Sequence, residues 1–193
     1  MRDNNKVIFL DRDGTINVED GYITKVEQLH LYKETIDALK ILKDIGYRIV
    51  IVSNQAGVAK GLLTEYELKE INKSLLSMLK EKGIPIDALY YCPHHPEAVI
   101  PEYKKDCECR KPKVGMIRKA EKELKVIAKN AYMIGDKLTD IELAYNFEGK
   151  GILLLTGYGS EESKKINSPK HTPVYIAKDI LDAVYWIKQN TSP

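Results

Sequence analysis

The chain has 193 residues, a length that fits one domain or at most two small ones. Hydrophobic residues make up 44% and charged residues 30%, a composition that excludes intrinsic disorder. The 30 lysines and arginines nearly balance the 28 aspartates and glutamates. This balance argues against a dedicated nucleic-acid-binding protein, because such proteins usually concentrate basic charge on one face.

The sequence also indicates where the protein is located and whether it forms oligomers. No apolar run approaches the length of a membrane span, and the polar residues 1–6 leave no room for a signal peptide before the first apolar run. We therefore expect a soluble cytoplasmic protein that contacts no membrane. No linker, repeat or exposed heptad is evident, so residues 1–193 are expected to form one domain and the protein to be a monomer.

Short apolar runs recur along the chain and predict strands. They lie at residues 7–10, 49–52, 89–91, 131–134, 152–155 and, more weakly, 174–176. These runs do not alternate with polar residues, which is typical of strands covered on both faces. The pattern predicts a mainly parallel sheet between two layers of helices.

Amphipathic segments separate the predicted strands. Their apolar spacing predicts helices at residues 34–45, 65–82, 114–125, 139–145 and 180–188. Thr64 with Glu67, and Thr139 with Glu142, have the spacing of capping boxes, and Asp179 is a candidate N-cap. Alternating strands and helices of this kind predict a doubly wound, Rossmann-like α/β fold.

Polar side chains follow three of the predicted strands. Asp11 and Asp13 follow the first, Ser53 the second, and Asp136 and Asp140 the strand at 131–134. Carboxyl ends of parallel strands meet at one edge of a sheet, and residues two apart on an extended chain point the same way. Clustered carboxylates repel one another unless a cation lies among them, and an all-oxygen site suits Mg²⁺.

The acidic loop after the first strand has other interpretations when taken alone. An Asp-x-Asp-Gly loop can be a polar turn or part of a calcium loop. A calcium loop of the helix–loop–helix type has its glycine at the sixth position and follows a helix, whereas here Gly14 is fourth and a strand precedes. The ordered occurrence of Ser53, Lys111 and Asp136 further along the chain favours a functional site.

This ordered set resembles the four motifs of the haloacid dehalogenase-like (HAD-like) phosphohydrolases. Residues 11–15, with the sequence Asp-Arg-Asp-Gly-Thr, resemble the first motif, Ser53 the second and Lys111 the third. Gly135–Asp136 together with Asp140 resembles the fourth. The resemblance covers most of the chain and implies the HAD-like fold.

The resemblance also implies catalytic roles. Asp11 would attack phosphorus and form an aspartyl-phosphate, and Asp13 would protonate the leaving oxygen and then activate water. Ser53 would hydrogen-bond the transferring phosphoryl oxygens, and Lys111 would neutralise the charge on them.

The catalytic metal that the resemblance implies is Mg²⁺. It would be held by Asp11, the carbonyl of Asp13 and Asp136. Asp140 would either support the metal site or serve as a helix-start carboxylate. Lys137 would either contact the substrate phosphate or serve as a helix-start cation.

A second metal site is predicted in the long, proline-rich loop at residues 92–110. Cys92, His94, Cys107 and Cys109 form a Cys₃His set of the kind that binds Zn²⁺ tetrahedrally, with His95 as an alternative fourth ligand. Free cysteines or a Cys107–Cys109 disulfide are the other interpretations, and a cytoplasmic setting argues against the disulfide. Four protein ligands leave no open position, so this zinc is expected to be structural.

The position of the loop suggests a role for the zinc. Arg110 and Lys111 come directly after the last cysteine, so a fixed loop would aim both side chains. The planar guanidinium group of Arg110 can bind phosphate or sugar oxygens. The alternative interpretation is that Arg110 is a solvated surface cation without a role in binding.

Four further segments of the sequence indicate a particular family within the HAD-like phosphohydrolases. Residues 54–61, 92–96, 107–112 and 135–137 resemble the D-glycero-D-manno-heptose 1,7-bisphosphate 7-phosphatase family, which belongs to lipopolysaccharide biosynthesis. That resemblance implies removal of the 7-phosphate from a small phosphorylated sugar. Histidinol-phosphate phosphatases share the zinc loop and are the alternative; a nucleic-acid-end phosphatase and a non-enzymatic zinc-stabilised module fit less well.

Substrate choice is expected to depend on local loops, because the gaps between the motifs leave no room for a cap domain. The segment Glu19–Tyr22 favours the heptose substrate within this resemblance. The candidate substrate-binding residues are Glu19, Asp20, Gly21, Tyr22, Asn54, Gln55, Arg110 and Lys137.

Overall fold

The computed structural model describes residues 6–191 and contains six strands. The strands are β1 (Val7–Leu10), β2 (Arg48–Asn54), β3 (Ala88–Cys92), β4 (Tyr132–Gly135), β5 (Lys150–Leu154) and β6 (Tyr175–Ala177). They form one sheet in the order β3-β2-β1-β4-β5-β6, and every neighbouring pair is parallel. The predicted parallel sheet is confirmed, including the short strand at 89–91 and the weakly predicted one at 174–176.

Helices connect successive strands. In the described part of the chain they are α1 (Thr35–Asp44), α2 (Ala56–Ala59), α3 (Glu65–Glu81), α4 (Gly115–Leu124), α5 (Leu138–Asn146), α6 (Gly159–Ser163) and α7 (Ile180–Asn190). Short 3₁₀ turns lie at Val26–Gln28, Pro101–Tyr103 and Pro169–His171. None of the helices within residues 6–191 is both long and apolar enough to cross a bilayer.

Each face of the sheet carries its own hydrophobic core. Ile8 and Leu10 of β1 pack into the core shared with α1, α3 and α7, whereas Val7 and Phe9 pack into the core shared with α4 and α5. Because successive strand residues point to opposite faces, a continuous apolar run fills both cores. This is the physical reason that the strands of the sequence lack polar alternation, and it confirms the doubly wound fold.

Two of the predicted helix starts are confirmed. Thr64 and Glu67 form a reciprocal capping box at α3, with the Glu67 N–H donating to Thr64 Oγ1 at 3.2 Å and the Thr64 N–H donating to Glu67 Oε2 at 2.7 Å. Asp179 caps α7 by accepting the N–H of Asp182 at 2.9 Å. Local sequence is sufficient at both positions because both partners lie within one turn.

The capping box predicted for Thr139 and Glu142 is wrong. α5 begins at Leu138, so Thr139 lies inside its first turn. The N–H of Lys137 instead donates to the carboxylate of Asp140 at 3.2 Å. The helix therefore starts two residues earlier than its capping pattern suggests, because the buried carboxylate of Asp140, in the first turn, satisfies the N–H of the N-cap residue Lys137.

The strand order places the acidic motifs at one edge. β1 lies in the middle of the sheet between β2 and β4, and the strand order reverses there. Ligands of open α/β sheets bind in the crevice at such a reversal, beyond the carboxyl ends of the strands. The loops that follow β1, β2 and β4 all open into this crevice.

Candidate active site

Three buried carboxylates and one buried lysine meet beyond the ends of the central strands. Oxygen atoms of Asp11, Asp136 and Asp140 lie within 4.8 Å of one another. Lys111 Nζ lies 2.8 Å from Asp11 Oδ1 and 2.6 Å from Asp140 Oδ1, and it donates to the carbonyl of Val52 at 3.0 Å. The structure thus brings together residues from three of the four predicted motifs.

The charges in this cluster do not balance. Burial, followed by the charges of Asp11 and Asp140, raises the pKa of Asp136 to about 8. Burial also raises the pKa of Asp140 to about 6, although Lys111 opposes the shift. For Lys111, burial alone would lower the pKa, but the Asp11 and Asp140 carboxylates outweigh it and the pKa is raised. Three carboxylates outnumber the two ammonium groups of Lys111 and Lys137 that act on them, so a further cation would be stabilised here.

The residues of the cluster fit a hard divalent cation. Asp136 Oδ2 accepts the N–H of Tyr158 at 2.8 Å, whereas its Oδ1 is buried and has no hydrogen-bond partner among the described residues. An oxygen that is buried without a partner is costly unless an ion satisfies it. Gly14, with φ +80°, makes room for this carboxylate, because a Cβ there would lie 2.2 Å from Asp136 Oδ2. All-oxygen donors of this kind suit Mg²⁺.

Asp140 contacts both the start of α5 and the lysine of the cluster. Its carboxylate contacts both Lys111 Nζ and the N–H of Lys137, and its side chain is fully buried. Asp140 therefore starts the helix and also supports the site, through the lysine that it holds.

Asp13 is held by four hydrogen bonds. Arg12 donates to Oδ1 from Nε at 2.9 Å and to Oδ2 from Nη2 at 2.8 Å. Asn17 Nδ2 donates to Oδ1 at 2.9 Å, and Gln55 Nε2 donates to Oδ2 at 2.8 Å. Burial alone would raise the pKa of Asp13, but these donors, Arg12 first, hold it below its usual range. This arrangement favours the ionised form of Asp13.

Ser53 and Gln55 act together at the end of β2. Gln55 Nε2 donates to Ser53 Oγ at 2.8 Å as well as to Asp13. The serine oxygen accepts this hydrogen bond, and within residues 6–191 its own O–H has no acceptor, so it can donate to a ligand. Gln55 lines the cleft as predicted, and its amide nitrogen orients two other side chains of the site.

Asn54 forms a reciprocal pair with the backbone of Lys111. The Lys111 N–H donates to Asn54 Oδ1 at 2.9 Å, and Asn54 Nδ2 donates to the Lys111 carbonyl at 3.1 Å. Asn54 lines the cleft, but both ends of its amide are engaged. Its evident role in the structure is to fix the backbone from which the lysine side chain extends.

A cleft of about 520 Å³ adjoins the carboxylate cluster through Lys111, which lines it, whereas Asp11, Asp136 and Asp140 are not part of its lining. Among its lining residues are the predicted Asp13, Glu19, Gly21, Tyr22, Asn54, Gln55, Arg110, Lys111 and Lys137. Asp20 is exposed and is not part of this lining, so the structure does not bring it to the cleft. Thr139 and Tyr158 also line the cleft and were not predicted. The same strand-end argument, applied after β5, would have found Tyr158.

Lys137 contacts residues from two different loops of the cleft wall. Its Nζ lies 3.4 Å from Glu19 Oε2 and 4.4 Å from the centre of the Tyr158 ring. Burial raises the pKa of Glu19, whereas the pKa of Lys137 is raised because Asp136 and the other nearby carboxylates outweigh burial. A charged lysine that retains part of its exposure in an acidic cleft is suited to meet a phosphate group.

The predicted zinc ligands converge. Sγ atoms of Cys92, Cys107 and Cys109 lie 3.0–3.3 Å apart, and His94 Nδ1 lies 3.3 Å from Cys109 Sγ. These thiols are free, and their separations exceed the 2.05 Å or so of a disulfide bond. Three thiol sulfurs and one imidazole nitrogen directed at one point fit Zn²⁺.

Of the two candidate histidines, the structure places His94 in the cluster. His95 lies outside it, and its Nδ1 accepts the N–H of Glu97 at 3.1 Å. Arg110 Nη1 donates to the carbonyl of His94 at 3.2 Å. The arginine that reaches the cleft is therefore tied to the proposed zinc loop through the backbone of a metal-ligand candidate.

Replacing His94 by alanine is expected to remove zinc and to destabilise the protein, whereas His95→Ala is expected to do neither. Cys92 and Cys107 lie 15 residues apart, and a cross-link that closes a loop of that length stabilises by about 3 kcal/mol. The midpoint of thermal unfolding should therefore fall by about 6–12 °C in His94→Ala. Elemental analysis and thermal unfolding of both variants measure this, and zinc retained by His94→Ala would contradict the ligand assignment.

The strand order, the acidic loop after β1 and the buried lysine together define the class of HAD-like hydrolases. A family model described as HAD-hydrolase-like matches residues 108–183. The crystal structure of D,D-heptose 1,7-bisphosphate phosphatase from B. bronchiseptica, complexed with magnesium and phosphate, superposes with a TM-score of 0.84 at 27% identity. That superposition covers 96% of this chain and 99% of the other.

Curated relatives narrow the class. The D-glycero-beta-D-manno-heptose-1,7-bisphosphate 7-phosphatase of Pasteurella multocida (strain Pm70) is 38% identical over 184 residues, which is 95% of this chain and 97% of the relative. The D-glycero-alpha-D-manno-heptose-1,7-bisphosphate 7-phosphatase of Photorhabdus laumondii is 41% identical over 161 residues, 81% of this chain and 86% of the relative. The chain belongs to the heptose-1,7-bisphosphate 7-phosphatase family of HAD-like phosphatases.

Proposed function

We propose that the protein removes the 7-phosphate of D-glycero-D-manno-heptose 1,7-bisphosphate through an aspartyl-phosphate intermediate. The observation that carries the proposal is the buried cluster of Asp11, Lys111, Asp136 and Asp140, which adjoins a cleft lined by Lys111 and Asp13. The names of the relatives supply the substrate. The reaction is a phosphomonoester hydrolysis, for which positioning and charge stabilisation are the main requirements.

In the first step, Asp11 is the nucleophile. A carboxylate oxygen of Asp11 forms a bond to phosphorus while the bond from phosphorus to the sugar oxygen breaks. The leaving oxygen takes a proton from Asp13, which therefore has to enter this step protonated although its four hydrogen-bond donors favour the ionised form. Lys111 and the free O–H of Ser53 stabilise the negative charge on the phosphoryl oxygens.

In the second step, water hydrolyses the aspartyl-phosphate. Asp13, now a carboxylate, takes a proton from the water as its oxygen forms a bond to phosphorus. The bond between phosphorus and Asp11 breaks, which releases inorganic phosphate and regenerates the Asp11 carboxylate. The four donors around Asp13 favour the ionised form that this step needs.

Mg²⁺ is the proposed catalytic metal, with Asp11, Asp136 and the carbonyl of Asp13 as its protein ligands. When bound, it offsets the repulsion between the carboxylates and the phosphate. The unpartnered oxygen of Asp136 and the raised pKa of that group support this assignment. The Cys₃His cluster is proposed to hold a structural Zn²⁺.

The upper cleft is proposed to hold the rest of the sugar. Arg110 and Lys137 line it, so its rim carries two cations that suit a second phosphate group. Glu19 and Tyr22 lie on the facing loop and offer a carboxylate and a partly exposed ring to sugar hydroxyls. One chain supplies all these residues, so we propose that the protein acts as a monomer. The three free thiols favour a reducing compartment, and we propose that it acts in the cytoplasm.

Substrate comparison tests the proposal. With Mg²⁺ present, kcat/KM for heptose 1,7-bisphosphate should exceed that for histidinol phosphate at least about tenfold, because only the bisphosphate offers a second anion to Arg110 and Lys137. Phosphate release measures the rates, and phosphorus NMR should find the remaining phosphate on C1. A tenfold preference for histidinol phosphate, or phosphate left on C7, would contradict the proposal.

Both anomers of the bisphosphate belong in that comparison. The relatives named above include an enzyme for the alpha anomer and one for the beta anomer, and their identities to this chain are similar. Separate assays of the two anomers therefore determine the preference of this protein.

A further inference from the structure

Arg12, between the two acidic residues of the first motif, is fully buried. Its guanidinium group forms a two-point ion pair with Asp13, with Nε at 2.9 Å from Oδ1 and Nη2 at 2.8 Å from Oδ2. Because the guanidinium is rigid and planar, such a pair fixes both the position and the plane of the carboxylate. The orientation of Asp13 therefore depends on what holds Arg12.

Asn72 holds the third nitrogen of that guanidinium. Its Oδ1 accepts a hydrogen bond from Arg12 Nη1 at 2.8 Å, and the residue is buried on α3. Ile71 and Leu75 of the same helix pack into the hydrophobic core, which makes α3 a fixed support. The other two side chains that donate to Asp13, Asn17 and Gln55, belong to the segments that follow β1 and β2.

The Asn72 side chain has no evident reason to be polar apart from this bond. Its Nδ2 is buried and has no hydrogen-bond partner within residues 6–191. A buried amide nitrogen without a partner is unfavourable, so an apolar residue of similar size would serve the helix better. What the amide contributes here is its oxygen, directed at Arg12.

We propose that Asn72 is a positioning residue for the reaction: through Arg12 it fixes the carboxyl group of Asp13 at the place where protons are exchanged. The inference rests on the proposed function, because it assigns Asn72 a part in that chemistry. Asn72 does not line the cleft, so it acts on substrate only through the other two residues. A misplacement of about 1 Å in a reacting group can cost about a hundredfold in rate.

Substituting the acceptor tests the inference. Asn72→Leu should lower kcat by about tenfold to a hundredfold and leave KM unchanged, because the substrate-binding residues keep their places. Asn72→Asp keeps an oxygen at the same position and should restore kcat to near the wild-type value. A merely structural role would not give this rescue, nor the separation of kcat from KM.

Ile71→Val is the matched control. It removes packing from the neighbouring position on α3 without touching a polar group, so its kcat should equal that of the wild type. A kcat for Asn72→Leu that equals the control value would overturn the inference. A kcat of Asn72→Leu above the wild-type value would also overturn it, since the hydrogen bond would then hold Asp13 away from the reaction. An Asn72→Asp variant that is no faster than Asn72→Leu would overturn it as well.

A second variant covers the case in which Asn72→Leu does not fold. Asn72→Ser retains a polar group but withdraws its oxygen from Arg12, so kcat should fall in the same direction, and an unchanged kcat would overturn the inference.

Wild-type protein and Asp11→Asn are assayed in parallel. If the wild type hydrolyses no phosphomonoester, the proposed function fails; if it is active and the Asn72 variants match it, only this inference fails.

Discussion

Lys111→Met is expected to abolish phosphatase activity and to destabilise the protein by about 3–5 kcal/mol, because it leaves buried carboxylates without their partner. Lys111 is 3% exposed, and its ammonium group contacts both Asp11 and Asp140. The midpoint of thermal unfolding should fall by about 6–20 °C. Phosphate release and thermal unfolding of the purified variant measure the two effects.

Two comparisons make this prediction specific. Lys113→Met, two residues away in an exposed ion pair with Asp106, should leave the unfolding midpoint unchanged. Millimolar Mg²⁺ should raise the midpoint of Lys111→Met more than that of the wild type, because the cation then neutralises carboxylates that the lysine no longer reaches. A wild-type midpoint for Lys111→Met would show that the buried pairs do not hold the site together.

Asp11→Asn is expected to lower kcat by roughly 10⁴-fold or more, because a neutral amide cannot replace the attacking carboxylate. The substitution keeps the size and shape of the side chain, and Asp140 remains as a partner for Lys111. We therefore expect the fold to be retained. Phosphate release measures the activity, and circular dichroism with thermal unfolding measures the fold.

Asp44→Asn is a suitable control for this change. Asp44 is exposed at the end of α1, so the same loss of one carboxylate there should leave kcat unchanged. Phosphatase activity that persisted in Asp11→Asn would show that another group attacks phosphorus, and the proposed aspartyl-phosphate would have to be abandoned.

Much of the site was predictable because sheet topology does most of the positioning. Once the apolar runs at 7–10, 49–52 and 131–134 are assigned to parallel strands, the residues that follow them must meet at one edge. Asp11, Ser53 and Asp136 follow from this argument alone. The cluster of Cys92, His94, Cys107 and Cys109 was predictable for a different reason: three cysteines and a histidine in one loop are a chemical pattern that does not depend on the fold.

The positioning interactions were not predictable, because they depend on side chains that are distant in sequence. Arg12 follows Asp11 in the motif, but nothing in the sequence indicates that Asn72, 60 residues further on, accepts its hydrogen bond. Asn54 likewise lies 57 residues from the Lys111 backbone that it holds. Such pairs are determined by how helices and loops pack, which local periodicity does not describe.

The error at α5 has a similar cause. Thr139 and Glu142 have the spacing of a capping box, yet the N–H of Lys137 is satisfied by Asp140. Local propensity was overruled because the same carboxylate also contacts Lys111 at the centre of the site. The helix start is therefore determined by the site, whereas the capping box at Thr64 lies on a surface turn where local rules are sufficient.

The central place of β1 in the sheet has a consequence for synthesis on the ribosome. The first acidic motif is made well before its neighbour β4, which ends at Gly135, so the whole stretch between them must emerge before the crevice has both walls. A nascent chain that stops after α4 would contain Asp11, Ser53 and Lys111 but not Asp136. Hydrolytic activity would thus appear late and abruptly during translation, and its onset would report that the two halves of the sheet have joined.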